Sequence, residues 1–433
     1  MSDWQRYGAV EYSRPAPLAE EISTRSRIPI GRAKELLSDS AARVRRLLRL
    51  EANPVFWMNG GVQFQNIAGI LLVAPRIELE VAPKFLGDAP GWREDFFLLA
   101  TLSSHGRLLD REGLNSSSRE TSDLATLIGR SFVEMYNQNR RRPVRAYRRL
   151  PHTGFSLEGD FDPEELALPG EDGFYQEVTT FTSRNSYNAV LRAAASRLAS
   201  VVPDVETRAR LEHVVQDLPR QAVPARLRER RLPSRGRSWQ PAYDLAVDIL
   251  RGFGGTFDPK NLFAPGFVVS TWQIWEDLVS VALRLSFGAQ NLSVQPRYRL
   301  GLRRIAGRAS SMSVTPDCVV AIGTGEGQRL VVVDAKYKGN VERADRGVAT
   351  SDTYEALAFS RATGVNEVVL VYPMTIGSGA ESPGHVGYGR EFASIRVDET
   401  RIRAIEVGVR GVSETGGLRQ FASVLRSEIS KVA

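Results

Sequence analysis

Apolar and polar positions recur at two different periods along this chain, and the change of period marks its parts. Residues 66–73 and 77–84 are short apolar runs around Pro75 and read as paired strands. Residues 31–50, 121–139, 186–202, 205–218 and 243–253 place apolar side chains at helical spacing. Prolines 203, 224, 233 and 241 punctuate the linkers between them. A further helix spans 269–285, with Trp275, Leu278, Val279, Ala282 and Leu285 on one stripe and Thr271 or Ser270 available as its cap. Beyond it the period drops to two: Val331, Val333, Ala335 and Tyr337 alternate with Val332, Asp334, Lys336 and Lys338. Residues 318–322 read as a preceding strand, 323–328 as the turn, 351–361 as a capped helix, and 365–373 as an apolar strand.

These elements predict an α/β chain in three segments. Residues 1–115 form an N-terminal α+β module. Residues 116–258 form a mostly helical middle region. Residues 259–433 form a mixed sheet flanked by helices.

The two-residue period brings chemistry with it. Asp334 and Lys336 project from one face of their strand. If Ile322 pairs with Arg329 across the turn, Asp317 lies opposite Asp334. Directly opposed carboxylates repel, and a divalent cation between them relieves the repulsion. Hard oxygen donors suit Mg²⁺ or Mn²⁺. Glu276 sits at the edge of the apolar stripe of its helix, where a carboxylate is costly unless paired or metal-bound. An ordinary boundary glutamate is the plain alternative.

Pro316-Asp317 followed by Asp334-Ala335-Lys336 resembles the PD-(D/E)xK nuclease signature. The resemblance implies a restriction-endonuclease-like sheet. It implies that Asp317, Asp334 and the backbone carbonyl of Ala335 hold Mg²⁺, and that Lys336 orients the attacking water and stabilises transition-state charge. Glu276 matches the acidic residue that the family places on the helix before the hairpin. Glu355 and Phe359 stand where McrC-like and RecB-like nucleases carry a glutamine and a tyrosine, and both depart from that pattern.

The whole chain resembles McrC, the nuclease subunit of McrBC-type restriction systems. Residues 66–73, then 77–84 ending in Pro83-Lys84, are similar to its paired strands. Residues 157–162 are similar to its mid-chain segment, and 180–188 to its Asn-led helix start. The resemblance implies an endonuclease acting on double-stranded DNA, controlled by a McrB-like AAA+ GTPase hexamer that it stimulates. The alternatives are a non-catalytic scaffold or GTPase activator with a nuclease fold, and a stand-alone repair nuclease. Removing residues 1–115 is expected to abolish partner docking and leave the metal site assembled.

Composition narrows the classes. The chain has 433 residues, 42% of them hydrophobic, enough for two or three domains. Its net charge is +7, which favours a polyanionic partner. Only six of its 57 basic residues are lysine. Arginines cluster at 140–149, at 226–237, and at Arg297, Arg299, Arg303, Arg304 and Arg308, just before the catalytic hairpin. One cysteine, Cys318, excludes an internal disulfide and a cysteine-based zinc site, and its Val-rich strand marks it as a small core residue. No Walker A motif is present, so nucleotide hydrolysis is left to a partner. Without a long apolar run, a soluble, cytoplasmic protein is expected.

Overall fold

The computed structural model describes all residues except 1–4, 75–76, 106–123, 162–169, 225–226, 228–230, 252–266, 307, 324, 338–346, 376–383 and 432–433. Several expectations lie outside the described residues: the boundaries at 115/116 and 258/259, the start of the helix at 121, Asp162, Arg226, residues 228–230 and Lys338. Two compact units account for the chain. One joins Met1–Arg111, Ser117–Leu124 and Pro265–Ala433; the other consists of Glu112–Ser116 and Ala125–Ala264.

The first unit begins with β1 (Gln5–Val10), α1 (Leu18–Ser26), α2 (Ile30–Leu48), β2 (Val55–Met58), β3 (Gly61–Phe64), β4 (Ile67–Ala74), β5 (Ile77–Ala82) and α3 (Trp92–His105). The β2–β3 turn needs glycine: Gly61 has φ +139°, and a Cβ there would stand 2.0 Å from the Ala16 carbonyl oxygen. Helices α1 and α2 bury Leu18, Ile22, Leu37 and Val44 in one cluster with Leu71, Leu79 and Val81 of the strands.

The second unit holds α4 (Leu124–Asn139), β6 (Ala146–Gly154), β7 (Asp160–Phe161), β8 (Phe174–Thr182), α5 (Ser186–Val201), α6 (Val205–Asp217) and α7 (Gln240–Arg251). The expected helical middle region therefore contains an antiparallel sheet in the order β6-β8-β7. Strands β6 and β8 share one exposed face, which carries Tyr147, Tyr175 and Phe181; the other face is partly covered, with Gln176 buried. Aromatic residues on the exposed face and threonine and glutamine on the covered one blur the apolar alternation that marks a strand. Asn185 caps α5 as the sequence pattern suggests: its side chain accepts from the Asn188 N–H at 3.0 Å.

The remainder of the first unit comprises β9 (Phe267–Ser270), α8 (Thr271–Phe287), β10 (Leu292–Val294), β11 (Tyr298–Ile305), β12 (Arg308–Val314), β13 (Cys318–Ile322), β14 (Arg329–Ala335), α9 (Thr350–Thr363), β15 (Glu367–Pro373), β16 (Gly389–Val397), β17 (Thr400–Val407) and α10 (Gly417–Ser430). Six strands form a mixed sheet in the order β10-β13-β14-β15-β17-β16, with β14, β15 and β17 mutually parallel. Val332, Val368, Leu370 and Ala404 face α9 through Ala356 and Phe359. Alternate residues such as Val331, Val333 and Val369 point to the opposite face and are buried too. Both faces are covered, which is why the central strands read as continuous apolar runs.

The first and last segments share one core. Strand β9 completes the N-terminal sheet, order β1-β5-β4-β9, and leads directly into α8. The Phe85 ring lies 6.2 Å from Trp275 and 5.9 Å from Tyr337, centroid to centroid. Asp95 of α3 accepts backbone N–H groups of Gly411 and Ser413, each at 2.8 Å. Deleting residues 1–115 therefore strips the partners of α8 and of the β14 end. These contacts argue that such a truncation disturbs the site rather than leaving it assembled.

Helix α8 differs from its expected stripe in one residue. Leu285 is exposed and Leu283 is buried in its place. Ser270 is the N-cap residue, yet no side-chain capping bond forms there; α9 likewise starts at Ala349 without one.

Candidate active site

The register expected across the hairpin is the observed one. Ile322 pairs with Arg329 and Cys318 with Val333, so the ladder carried one step further sets Asp317 against Asp334. Both lie on the α9 face, two residues beyond the buried Val319 and Val332 pair. Asp317 Oδ2 accepts the Ala335 N–H at 2.8 Å, and the Asp317 carbonyl accepts the Gln295 N–H at 2.8 Å. The sheet therefore fixes the backbone of Asp317 and one oxygen of its side chain.

Lys336 extends from the end of β14, its N–H bonded to the Val371 carbonyl at 2.8 Å. Its Nζ stands 2.5 Å from Asp334 Oδ2 and 2.7 Å from Glu355 Oε2. Glu355, on α9, thus joins the site, although it departs from the family pattern. Phe359, one turn later, is a buried core residue. Glu276 of α8 is half-buried, and Asp317, Asp334 and Lys336 are among the charges that act on it.

Asp334 and Glu355 thus pair with the Lys336 ammonium, and Asp317 and Glu276 feel its charge without a direct contact. Burial first, then repulsion from Asp317, Asp277 and Asp334, pushes the Glu276 carboxyl up to about 8. Burial also raises Asp317, against the pull of the Ala335 N–H and Lys336. Asp334, buried at 4% exposure, is raised for the same first reason. Burial disfavours the Lys336 ammonium, but Asp334 and Glu355 outweigh it and lift its pKa above the ordinary lysine value. Titratable groups this strongly perturbed, gathered in one place, mark a candidate functional site.

Asp317, Asp334, Glu276 and the Ala335 carbonyl offer oxygen atoms alone, the donor type that a hard divalent cation takes. Among the described residues no three acidic, His or Cys side chains are grouped closely enough to hold an ion by themselves. Here Lys336 supplies the counter-charge.

Beneath the site lies a polar network that sequence reasoning missed. Glu11, just after β1, is 1% exposed and accepts from Thr271 Oγ1 at 2.7 Å and from the Tyr337 hydroxyl. Burial pushes its carboxyl up to about 7. Lys84 Nζ sits 4.4 Å from the Tyr337 ring centroid and 4.8 Å from that of Tyr12. Only Pro83-Lys84 carried a signal in the sequence; an isolated Glu11 carries none.

Cys318 is buried on β13, as its Val-rich strand suggested. Among the described residues no helix is long and apolar enough to cross a membrane.

Comparison with known proteins agrees with this architecture. A chain of the refined half-complex from a tetradecameric assembly of Thermococcus gammatolerans McrB AAA+ hexamers with bound McrC superposes with a TM-score of 0.64. The match covers 98% of this chain and 100% of that one at 15% identity. A chain of the Thermococcus gammatolerans McrBC complex matches at TM-score 0.45 and 12% identity, over 64% of this chain and 87% of that one. No curated protein matches the chain in sequence. The family model for the McrBC 5-methylcytosine restriction system component matches residues 62–373, from the N-terminal sheet through the β13–β14 hairpin to β15. The chain belongs to that family, as a McrC-like member.

Proposed function

We propose that this chain is the nuclease subunit of a McrBC-type restriction system. It is a Mg²⁺- or Mn²⁺-dependent endodeoxyribonuclease of PD-(D/E)xK type that cuts double-stranded DNA in the cytoplasm as part of defence against foreign DNA. An AAA+ GTPase hexamer of the McrB type switches it on and is stimulated by it in return. One observation carries the reading: Glu276, Asp317, Asp334, Lys336 and Glu355 converge from one helix, two strands and a second helix onto one end of the central sheet.

Asp317 and Asp334 would hold the metal, with the Ala335 carbonyl and Glu276 completing the oxygen set. A bound divalent ion polarises the phosphodiester and lowers the pKa of water. The Ala335 N–H holds Asp317 through Oδ2 and so fixes the direction of its carboxylate. Lys336, held by Asp334 and Glu355, places its ammonium where charge develops on the scissile phosphate. Trp275 Nε1 donates to the Val371 carbonyl at 3.1 Å and ties α8 to the strand beside β14. Glu276 is thereby kept in place relative to the aspartates.

The test combines the purified chain with a McrB-type GTPase and a duplex substrate. Cleavage should require GTP together with Mg²⁺ or Mn²⁺, and Ca²⁺ should support binding without turnover. Efficient cleavage in excess EDTA sinks the metal reading. Efficient cleavage without any GTPase replaces it with a stand-alone nuclease. No cleavage under any of these conditions, with stimulated GTP hydrolysis intact, leaves a scaffold that activates the GTPase.

A further inference from the structure

Just before the candidate site the chain forms a ribbon that no core requires. Strands β11 and β12 pair only with each other, antiparallel, from Tyr298↔Val314 to Ile305↔Arg308. At about 3.3 Å per residue the eight residues of β11 reach about 26 Å. Only the root is anchored: Tyr298 and Val314 pack on the cluster around Ala356 and Phe359 of α9. Outward of it the ribbon is almost wholly exposed, and Leu302 and Ile305 are each at least 60% exposed.

Its charge is one-sided in sign. Residues 297–316 contain five arginines and no acidic residue. The register distributes them over both faces. Arg303 and Arg308 share a face with Met312 and Val314, while Arg299 and Arg304 lie on the other with Ser311 and Ser313. Arg297 is engaged by Ser313 at 2.8 Å. The bulge between Arg299 and Gly301 shifts the alternation there and keeps Arg299 on the face of Arg304.

A cationic ribbon lying flat on a surface needs one charged face. A ribbon charged on both faces needs anions on both sides. The groove of duplex DNA offers that arrangement: two rows of phosphates flank it, and the major groove, about 12 Å wide, admits a two-stranded ribbon. Guanidinium forks suit phosphate oxygens. Serine or alanine stands opposite Arg299, Arg303 and Arg304, and Ile305 opposite Arg308 at the tip, so along most of the ribbon no long side chain competes for the space.

We infer that β11–β12 is a groove-inserted arm that grips duplex DNA by the phosphates of both strands, through Arg299, Arg303, Arg304 and Arg308. It carries no base-reading pattern, so its grip is independent of sequence. From Val314 the chain needs only Thr315 and Pro316 to reach Asp317. A duplex held by the arm is thus delivered to the carboxylate cluster. The inference rests on reading this chain as one that acts on DNA, but binding is measurable without cleavage.

The experiment uses the full chain in EDTA with a 40-base-pair duplex of mixed sequence and its single strand as probes. Cleavage is assayed separately, so a failed nuclease reading and a failed arm are distinguishable. Replacing all four arginines by glutamine should weaken duplex binding at least tenfold. The slope of log K against log salt should fall by about 3 to 4, at about 0.9 per phosphate lost. Single-strand binding should change far less. Arg304→Gln alone should lower the slope by about 1, which keeps the test available should the fourfold variant misfold. The fourfold lysine variant should keep most of the slope. The inference is overturned by an unchanged slope, by equal losses on duplex and single strand, or by a lysine variant as weak as the glutamine one. Loss of GTPase capture with DNA binding intact also overturns it, and makes the ribbon a protein-docking surface.

Discussion

Two hairpins follow one another in this chain and share a backbone pattern, yet their surroundings are opposite. The β13–β14 hairpin is central in a sheet covered on both faces, and burial raises the pKa of its carboxyls Asp317 and Asp334. The β11–β12 ribbon stands outside that sheet and exposes its arginines. The difference teaches where each kind of charge does its work. Buried carboxylates are costly alone, so they take up protons more readily or pair with a cation such as Lys336. Exposed guanidinium groups cost nothing to keep and therefore act as a grip whose strength depends on salt.

The largest effect should separate the two hairpins outright. Asp334→Ala or Lys336→Ala removes a metal-ligand or a transition-state charge contact, each worth several kcal/mol. Partner-stimulated cleavage should fall about 1000-fold or more. Duplex binding in EDTA and capture of the GTPase should stay near wild type. Wild-type cleavage in either variant removes the buried hairpin from the chemistry.

A stability measurement breaks the comparison from the packing side. Trp275 is fully buried between Phe85 and Phe421 and bonded to Val371. Trp275→Ala should cost about 3–5 kcal/mol in denaturant unfolding. Leu302→Ala on the exposed ribbon should cost less than about 0.5 kcal/mol. Comparable losses at the two positions refute the view that the ribbon lies outside the core.

What the sequence disclosed follows the same division. Asp317, Asp334, Lys336 and the register between their strands were legible, because a buried hairpin leaves a strict two-residue period. The family fold was legible through Pro316-Asp317 and Asp334-Ala335-Lys336. The β6-β8-β7 sheet was not, since its exposed face carries Tyr147, Tyr175 and Phe181 while its covered face carries Gln176 and threonines, so polarity does not follow burial. Leu285 was misread for Leu283 because both lie near the edge of the α8 stripe, and only tertiary packing decides which is covered. The Glu11–Tyr337–Thr271 network joins residues 326 and 260 positions apart, so no local pattern encodes it. That network also explains why the first 111 residues belong with the site's own unit rather than standing alone.

The raised carboxyls make stability depend on pH with a definite sign. Glu276 has a folded-state pKa of about 8 against an unfolded value near 4.3. The fold favours its protonated form, so the stability it contributes is complete below the unfolded value and is lost as pH rises toward 8. Glu11, at about 7, acts in the same direction. Metal-free protein should therefore melt at progressively lower temperature between about pH 5 and pH 8. Glu276→Gln should flatten part of that slope, leaving the share due to Glu11. Mg²⁺ should raise the melting temperature more at pH 8 than at pH 6, because protons and metal compete for the same oxygens. A metal-free melting temperature that rises across this range contradicts the charge excess.

The smallest expected effect bears on Glu355, which stands where related nucleases carry glutamine. Its carboxylate holds Lys336 from the α9 side at 2.7 Å, while Asp334 holds it from the strand. Glu355→Gln keeps a hydrogen-bond acceptor of the same length and removes one charge. Lys336 then loses part of the attraction that raises its pKa, and the alkaline limb of the pH–rate profile should move to lower pH. The maximal rate should stay within about tenfold of wild type, since Asp334 still orients the ammonium and an effect of 1.4 kcal/mol is tenfold. Glu355→Ala leaves no acceptor and should cost more than the glutamine variant. If Glu355→Gln is as inactive as Lys336→Ala, Glu355 contributes its charge to the site directly, and the buried cluster needs four carboxylates rather than three.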